Sequence, residues 1–341
     1  MAGDSIVSLK LGGKKMGNGR LNLFVSLIGI TFVVLLLPIR FAKAASMKNS
    51  YPGYSTSYYV YSADQPTLYN SGCALAQIHA NRPGVQVQAV ILDMGEPWRS
   101  RGTWGVLRFD GAFVPLSSVP LYAKAFAQGY YDCRQDSSSI RIVVGVNNYG
   151  PYVGWTFGSK WANLINNLNG WATRLYGAVK FRGGIDAEPG WSSPSASKAW
   201  SNGYAAYTDY PYYDFGTAPC NANPNAQGST PSSCGGGWDQ DDVYWMAYGP
   251  YEAWPFPEIY NIYWINARQW QSISIYSHKR YGWALYFLGS LTQYQACHQR
   301  YCDPSMMNTP YQGWYQLITQ LQTRSDTWQS VLYYASDIMW K

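Results

Sequence analysis

The chain has 341 residues, with 25 Lys and Arg against 19 Asp and Glu, 47% hydrophobic residues and an aromatic share of 17% against only 13% charged. Six of the basic residues and one acid (Asp4) fall within residues 1–44, so the remainder is almost neutral and lacks the clustered positive surface that nucleic acid or an anionic membrane requires. About 295 residues beyond that point suffice for one large domain with a buried core.

In chain order, a basic stretch with Lys10, Lys14, Lys15 and Arg20 precedes the apolar run Leu23 to Leu37, and Ala42-Lys43-Ala44 follows. This order of regions reads as a secretory signal peptide, 1–44, with cleavage after Ala44. The apolar run has 15 residues, fewer than the ~20 of a membrane-spanning helix, and retention as an uncleaved anchor is the alternative. The expected destination is extracellular, with no membrane partner after cleavage. Residues 45–66, rich in Ser, Tyr and Gly without helical or strand period, read as a surface-lying N-terminal arm.

From 67 to 341 the chain alternates. Strands are predicted at Val85 to Asp93, Ile140 to Val146, Gly177 to Asp186, Asp242 to Tyr248, Pro257 to Asn261 and Trp283 to Ser290, with weaker ones at Tyr212 to Gly216 and Val331 to Met339. Helices are predicted at Ser118 to Tyr131, Ser159 to Gly177, Ser193 to Tyr207, Asn266 to Arg280 and Gly313 to Gln322, several opened by Ser or Asn caps. Strand then helix, repeated, implies a parallel sheet. Eight strands in a chain of this length favour a single-domain α/β fold of the closed (β/α)8 TIM-barrel type over an open sheet.

Six cysteines in an exported chain imply three disulfides, with fifteen possible connectivities. Local closure favours Cys220 with Cys234 and Cys297 with Cys302, leaving Cys73 with Cys133. His298 beside Cys297 suggests a metal site, but an oxidising compartment favours the disulfide.

The segment "VKFRGGIDAEPGW" (Val179 to Trp191) carries the chemistry. Strand alternation sends Val179, Phe181, Gly183, Ile185 and Ala187 to one apolar face and Lys180, Arg182, Gly184, Asp186 and Glu188 to the other, which faces the barrel axis. Asp186 and Glu188 then share the carboxyl end of the strand, where barrel active sites lie, with Cα atoms about 6.6 Å apart from the ~3.3 Å rise per residue. Mutual repulsion in a partly desolvated cup keeps one protonated, which supplies the acid and the anion that glycoside cleavage uses. The competing structural reading has Asp186 accepting backbone hydrogen bonds and Glu188 bridging to Arg182.

"GGIDAE" resembles the strand-four signature of family 18 chitinases and the D-x-E of family 25 lysozymes. "VYWMAYG" looks like the M-x-Y strand of the chitinases, and the whole region is similar to secreted actinobacterial barrels of glycoside-hydrolase-like type. The resemblance implies Glu188 as general acid, Asp186 as the carboxylate that orients an N-acetyl group or stabilises charge, and Tyr248 as a hydroxyl near that group. Arg182 and Gly184 stand where the chitinase series has aspartates.

Other positions complete the expected site. Asp93, with Glu96 close behind, closes the first predicted strand and is a second catalytic carboxylate or a turn cap. Asn147, Asn148 and Gln293 offer amides to sugar hydroxyls, though Asn-Asn-Tyr-Gly is also ordinary turn chemistry. Glu252 and Glu258 are weaker, and Glu258 reads as a strand start. Trp98, Trp155, Trp191, Trp238 and Trp254 are stacking platforms for pyranose rings. The long segment from Thr217 to Asp242 reads as a rim over the barrel mouth. No HExxH, G-x-S-x-G elbow, Walker loop or dinucleotide fingerprint is present, so zinc, α/β-hydrolase, nucleotide and nicotinamide chemistry are not expected. The sequence therefore predicts a glycoside hydrolase acting on a polysaccharide or cell-wall glycan without metal or cofactor. A non-catalytic glycan-binding or cell-envelope barrel is the second reading.

Overall fold

The computed structural model describes residues 50–221 and 230–341; the predicted leader and part of the predicted rim lie outside the described residues. Eight strands form one wholly parallel sheet: β1 (Ser55–Tyr59), β2 (Val87–Asp93), β3 (Ser139–Asn147), β4 (Val179–Asp186), β5 (Tyr212–Asp214), β6 (Ala253–Pro255), β7 (Gly289–Thr292) and β8 (Tyr334–Trp340). Their order across the sheet is β6-β5-β4-β3-β2-β1-β8-β7. The two edges approach each other as well: Leu291 N–H donates to Pro257 O (2.9 Å), and Ile259 N–H to Leu291 O (2.8 Å). A parallel bridge pairs Glu258 with Leu291, so the sheet is nearly closed into a barrel.

The helices are α1 (Gln65–Ala80), α2 (Val119–Cys133), α3 (Trp155–Ala172), α4 (Pro194–Ala205), α5 (Gln240–Tyr248), α6 (Ile265–Tyr281), α7 (Tyr294–Gln299) and α8 (Pro310–Gln322). Local chemistry starts several of them. Asp64 accepts from Thr67 N–H ahead of α1, Ser193 from Ala196 N–H ahead of α4, and Thr309 and Gln312 form a capping box on α8. A small antiparallel sheet (Glu96–Ser100, Thr103–Leu107, Phe113–Pro115) is inserted between β2 and α2. None of the helices is long and apolar enough to cross a membrane among the described residues.

Helices α1 and α2 approach closely because glycine stands at the crossing. A Cβ on Gly72 would lie 2.1 Å from Phe126 O, and one on Gly129 would lie 1.9 Å from Tyr69 O. Cys73–Cys133 ties the same pair of helices, and Cys220–Cys234 and Cys297–Cys302 complete the expected pairing.

Two cores follow from strand alternation. Val90, Leu92, Ile142, Val144, Phe181 and Ile185 pack outward against the helices, while Ala89, Ile91, Val143, Tyr213, Phe215, Phe256, Leu291 and Ile338 fill the barrel interior. On β4 the expected alternation holds: outward Phe181 and Ile185 belong to the helix-facing core, and Gly184 meets the inward Val143 and Phe215.

Several boundaries differ from the sequence reading. The expected surface arm contains β1, which pairs with both β8 and β2, and α1 begins within it. The inward positions Ser55 and Ser57 are buried hydroxyls bonded to Ser336, so the strand lacks the apolar alternation that would reveal it. The predicted strand Asp242 to Tyr248 is helix α5, started by a capping box between Asp239 and Asp242 that a short apolar run does not disclose. The sixth strand is Ala253–Pro255, with Pro257 to Asn261 lying beyond its carboxyl end. The seventh, Gly289–Thr292, overlaps only the end of the predicted run.

Candidate active site

The carboxyl ends of the strands gather acids. Asp93 ends β2, Asp186 ends β4, Asp214 ends β5, Glu188 follows β4 and Glu258 follows β6. Asp186, Glu188 and Glu258 each offer a carboxylate oxygen, and these oxygens lie within 4.8 Å of one another. Asp93 is 0%, Asp214 1%, and Asp186 and Glu258 each 4% exposed; Glu188 alone of the five is half-buried.

Burial dominates the electrostatics. It pushes Asp93 and Glu188 up to about 7 and Asp214 up to about 8. Asp186 is driven well above the carboxylate range by burial first, then by the charges of Glu258, Glu188, Asp93 and Asp214. Glu258 is driven well above it by burial and then by Glu188, against which its bond from Tyr260 works. The carboxyls thus act on one another, with the charged form disfavoured throughout.

Hydrogen bonds fix the group unevenly. Glu188 is clasped: Asn148 Oδ1 accepts from its backbone N–H (3.0 Å), Asn148 Nδ2 donates to its carbonyl (3.1 Å), and Thr217 donates N–H to Oε1 (3.1 Å) and O–H to Oε2 (2.6 Å). Tyr260 O–H donates to Glu258 Oε1, and Tyr59 O–H reaches the Tyr260 hydroxyl at 3.2 Å, making a short hydroxyl chain into the cluster. Asp93 Oδ1 accepts from Gly95 N–H (3.0 Å), but among the described residues its Oδ2 has no partner, nor has Asp186 Oδ1.

The predicted residues divide. Asp186, Glu188 and Asp93 share the acidic cup. Asn147 pairs with Asp186 in register and is buried, its Oδ1 capping Tyr149 N–H (3.1 Å); Asn148 is fully buried and spends its amide on Glu188 and Ser197. The Asn148 amide is thus spent within the protein, where it positions Glu188. Trp191 is 43% exposed beside Tyr149, ring centroids 6.2 Å apart, and its backbone N–H donates to the Glu188 backbone carbonyl (3.2 Å), so the turn that carries this ring starts at the half-buried acid. Trp98 stands on the inserted sheet against Tyr152, with Glu96 half-buried at that sheet's start.

Of the remaining predicted residues, Tyr248 and Trp238 need correction. Tyr248 is not on a strand near the acids: it ends α5 and lines a cavity of about 460 Å3 with Tyr244, Tyr251, Trp254 and Trp283. The M-x-Y likeness therefore falls on a helix. Trp238 is buried with its indole N–H on Ser192 O (2.8 Å), so it is no platform, and Trp155 opens α3 against Tyr207. Gln293 caps the start of α7 and directs its amide to Met307 Sδ at 3.9 Å. Arg182 turns from Glu188 and donates to Phe181 O (2.8 Å), with its guanidinium over Tyr210.

Sequence reasoning ranked Glu258 low and missed Asp214, Thr217 and Tyr260. Glu258 follows Pro257, which suggests a strand start, yet it lies three residues past β6 and on its inward face, two residues after inward Phe256. With only four glutamates in the chain, a "PE" after an apolar-aromatic run was the available signal.

No protein family, curated protein or solved structure matches this chain.

Proposed function

We propose that the chain is a secreted glycoside hydrolase on a (β/α)8 barrel, cleaving a polysaccharide such as peptidoglycan or chitin. The observation that carries the reading is Glu188, a half-buried carboxyl pushed up to about 7, held just past the end of a barrel strand in a turn that also carries the exposed Trp191. The chain order of strands and helices around the nearly closed sheet supports the eightfold barrel. Three disulfides support an oxidising compartment.

A carboxyl poised near 7 retains its proton at neutral pH and gives it to the glycosidic oxygen as the C–O bond breaks. Asp93, which ionises in the same range as Glu188, supplies the negative charge that stabilises the developing oxocarbenium ion, while Asp186 and Glu258 keep their protons. Water then adds to the sugar carbon and its proton returns to Glu188. Trp191 and Tyr149 offer ring faces to a pyranose.

A non-catalytic glycan-binding barrel is the second reading, favoured by the near-complete burial of Asp93, Asp186 and Glu258, which leaves Glu188 as the single accessible carboxyl of the group. Reducing-end release from peptidoglycan, chitin and a panel of other glycans separates the readings when wild type is run beside Glu188→Gln. Hydrolysis predicts a loss of about 10²- to 10⁴-fold in the variant. Equal release from both proteins removes Glu188 from catalysis, and tight binding without release from either selects the binding module.

A further inference from the structure

We propose that the carboxyls of Asp186, Glu188 and Glu258 form a binding site for one hard divalent cation of the Ca²⁺, Mg²⁺ or Mn²⁺ class. Their oxygens lie within 4.8 Å of one another. Ligands on opposite sides of one calcium ion, each 2.3–2.6 Å away, are at most about 5 Å apart, so the three fit a single ion. All-carboxylate donors select hard cations over zinc or copper, which take nitrogen and sulfur.

A cluster of acids alone would not carry this. The deciding observation is Asp93, fully buried at the inward carboxyl end of β2 and level with Gly145 of β3 and Gly184 of β4; its Oδ2 has no partner among the described residues. That register sets Asp93 one inward step below Asp186 in the same cup, and its charge acts on both Asp186 and Glu258. Asp186 Oδ1 is likewise buried and unpartnered. Buried polar atoms are normally bonded, so unpaired oxygens ask for a ligand. Protons shared between neighbouring carboxyls are the competing answer, and they predict no saturable cation binding. A cation supplies what is missing: it bonds directly to lone pairs and offsets two negative charges at once.

The inference goes beyond the hydrolase reading and does not depend on it. A cation held there engages Glu188, so the metal-bound form lacks the proposed acid.

Titration calorimetry and thermal melts of the purified protein, stripped with EDTA and returned to Ca²⁺, Mg²⁺ or Mn²⁺ chloride separately, test the site. One saturable cation per chain is expected, with a melting temperature that climbs with cation concentration. Glu258→Gln and Asp186→Asn should each weaken binding at least tenfold while melting no lower than wild type in EDTA, since each replaces a buried carboxyl by an amide that cannot ionise. No saturable binding of any of the three ions up to about 10 mM, ten times the weak end of extracellular calcium sites, overturns the proposal. So does binding that survives both variants unchanged, which would place the ion on another acidic group such as Asp239 to Asp242.

Discussion

Asp93→Asn should make the protein less sensitive to alkali. Asp93 is fully buried, keeps one bond from Gly95 N–H, and is pushed up to about 7 from an ordinary 3.8 by burial. Between those two values the folded chain holds the proton that the unfolded chain has lost, so stability falls as pH rises through about 4 to 7 and the deficit is complete above the upper value. A gap of about three pH units, at about 1.4 kcal/mol each, makes Asp93's share about 4 kcal/mol. Asparagine imitates the protonated acid: its oxygen still accepts from Gly95, and it cannot ionise. Urea unfolding followed by tryptophan fluorescence, in EDTA from about pH 4 to about pH 8.5, should show the two proteins alike at the acid end. At the alkaline end the variant should be more stable by about 4 kcal/mol. Parallel stability curves across that window would mean that Asp93 ionises without penalty, and would refute the account of a desolvated acidic cup.

Thr217→Val deletes the hydroxyl that donates to Glu188 Oε2 at 2.6 Å. A hydrogen bond to a charged group contributes about 1.5–3 kcal/mol, so the Glu188 titration should move upward by about one to two pH units, read from a pH–rate profile or carboxyl NMR titration. Trp191→Ala removes the exposed ring beside Glu188; with stacking at about 1 kcal/mol, glycan Kd should rise about fivefold while thermal stability stays unchanged. Gly184→Ala would put a Cβ 2.5 Å from Val143 Cγ1 and 3.1 Å from Gly145 Cα, and calorimetry should show a loss of about 1–3 kcal/mol from overpacking.

What the sequence made legible follows from how local the controlling physics is. The alternation of β4 and the inward direction of Asp186 come from a period of two within one segment, and both the strand and its register beside β3 agree. Strand β1 was hidden because its inward positions are Ser55 and Ser57, whose burial is made tolerable by Ser336 on β8, almost the whole chain away. Helix α5 was hidden because Val243, Tyr244, Met246 and Ala247 form a short apolar run compatible with either period, and the Asp239 cap outweighs its content of β-branched and aromatic residues. Glu258 was hidden for a third reason: its importance arises where the sheet edges meet, and closure between β6 and β7 is written in neither strand alone.

The barrel interior explains why Arg141 and Arg182, on inward positions of β3 and β4, do not neutralise these acids. Both lie near the amino end, where their guanidinium groups sit over Tyr334 and Tyr210. Between the levels, Val143, Phe215, Phe256 and Leu291 fill the core, and Gly145 and Gly184 leave room for the Phe215 ring. Four residues separate Arg182 from Asp186, about 13 Å along the strand. At an effective dielectric of about 20, attraction across that distance is about 1.3 kcal/mol, whereas two carboxylates 4.8 Å apart repel by about 3.5 kcal/mol. Repulsion wins, and the apolar plug bars the arginine side chains from closing the gap. Neutralisation must therefore enter from the mouth, as protons or as a cation, and Glu188 is the carboxyl that meets either one first.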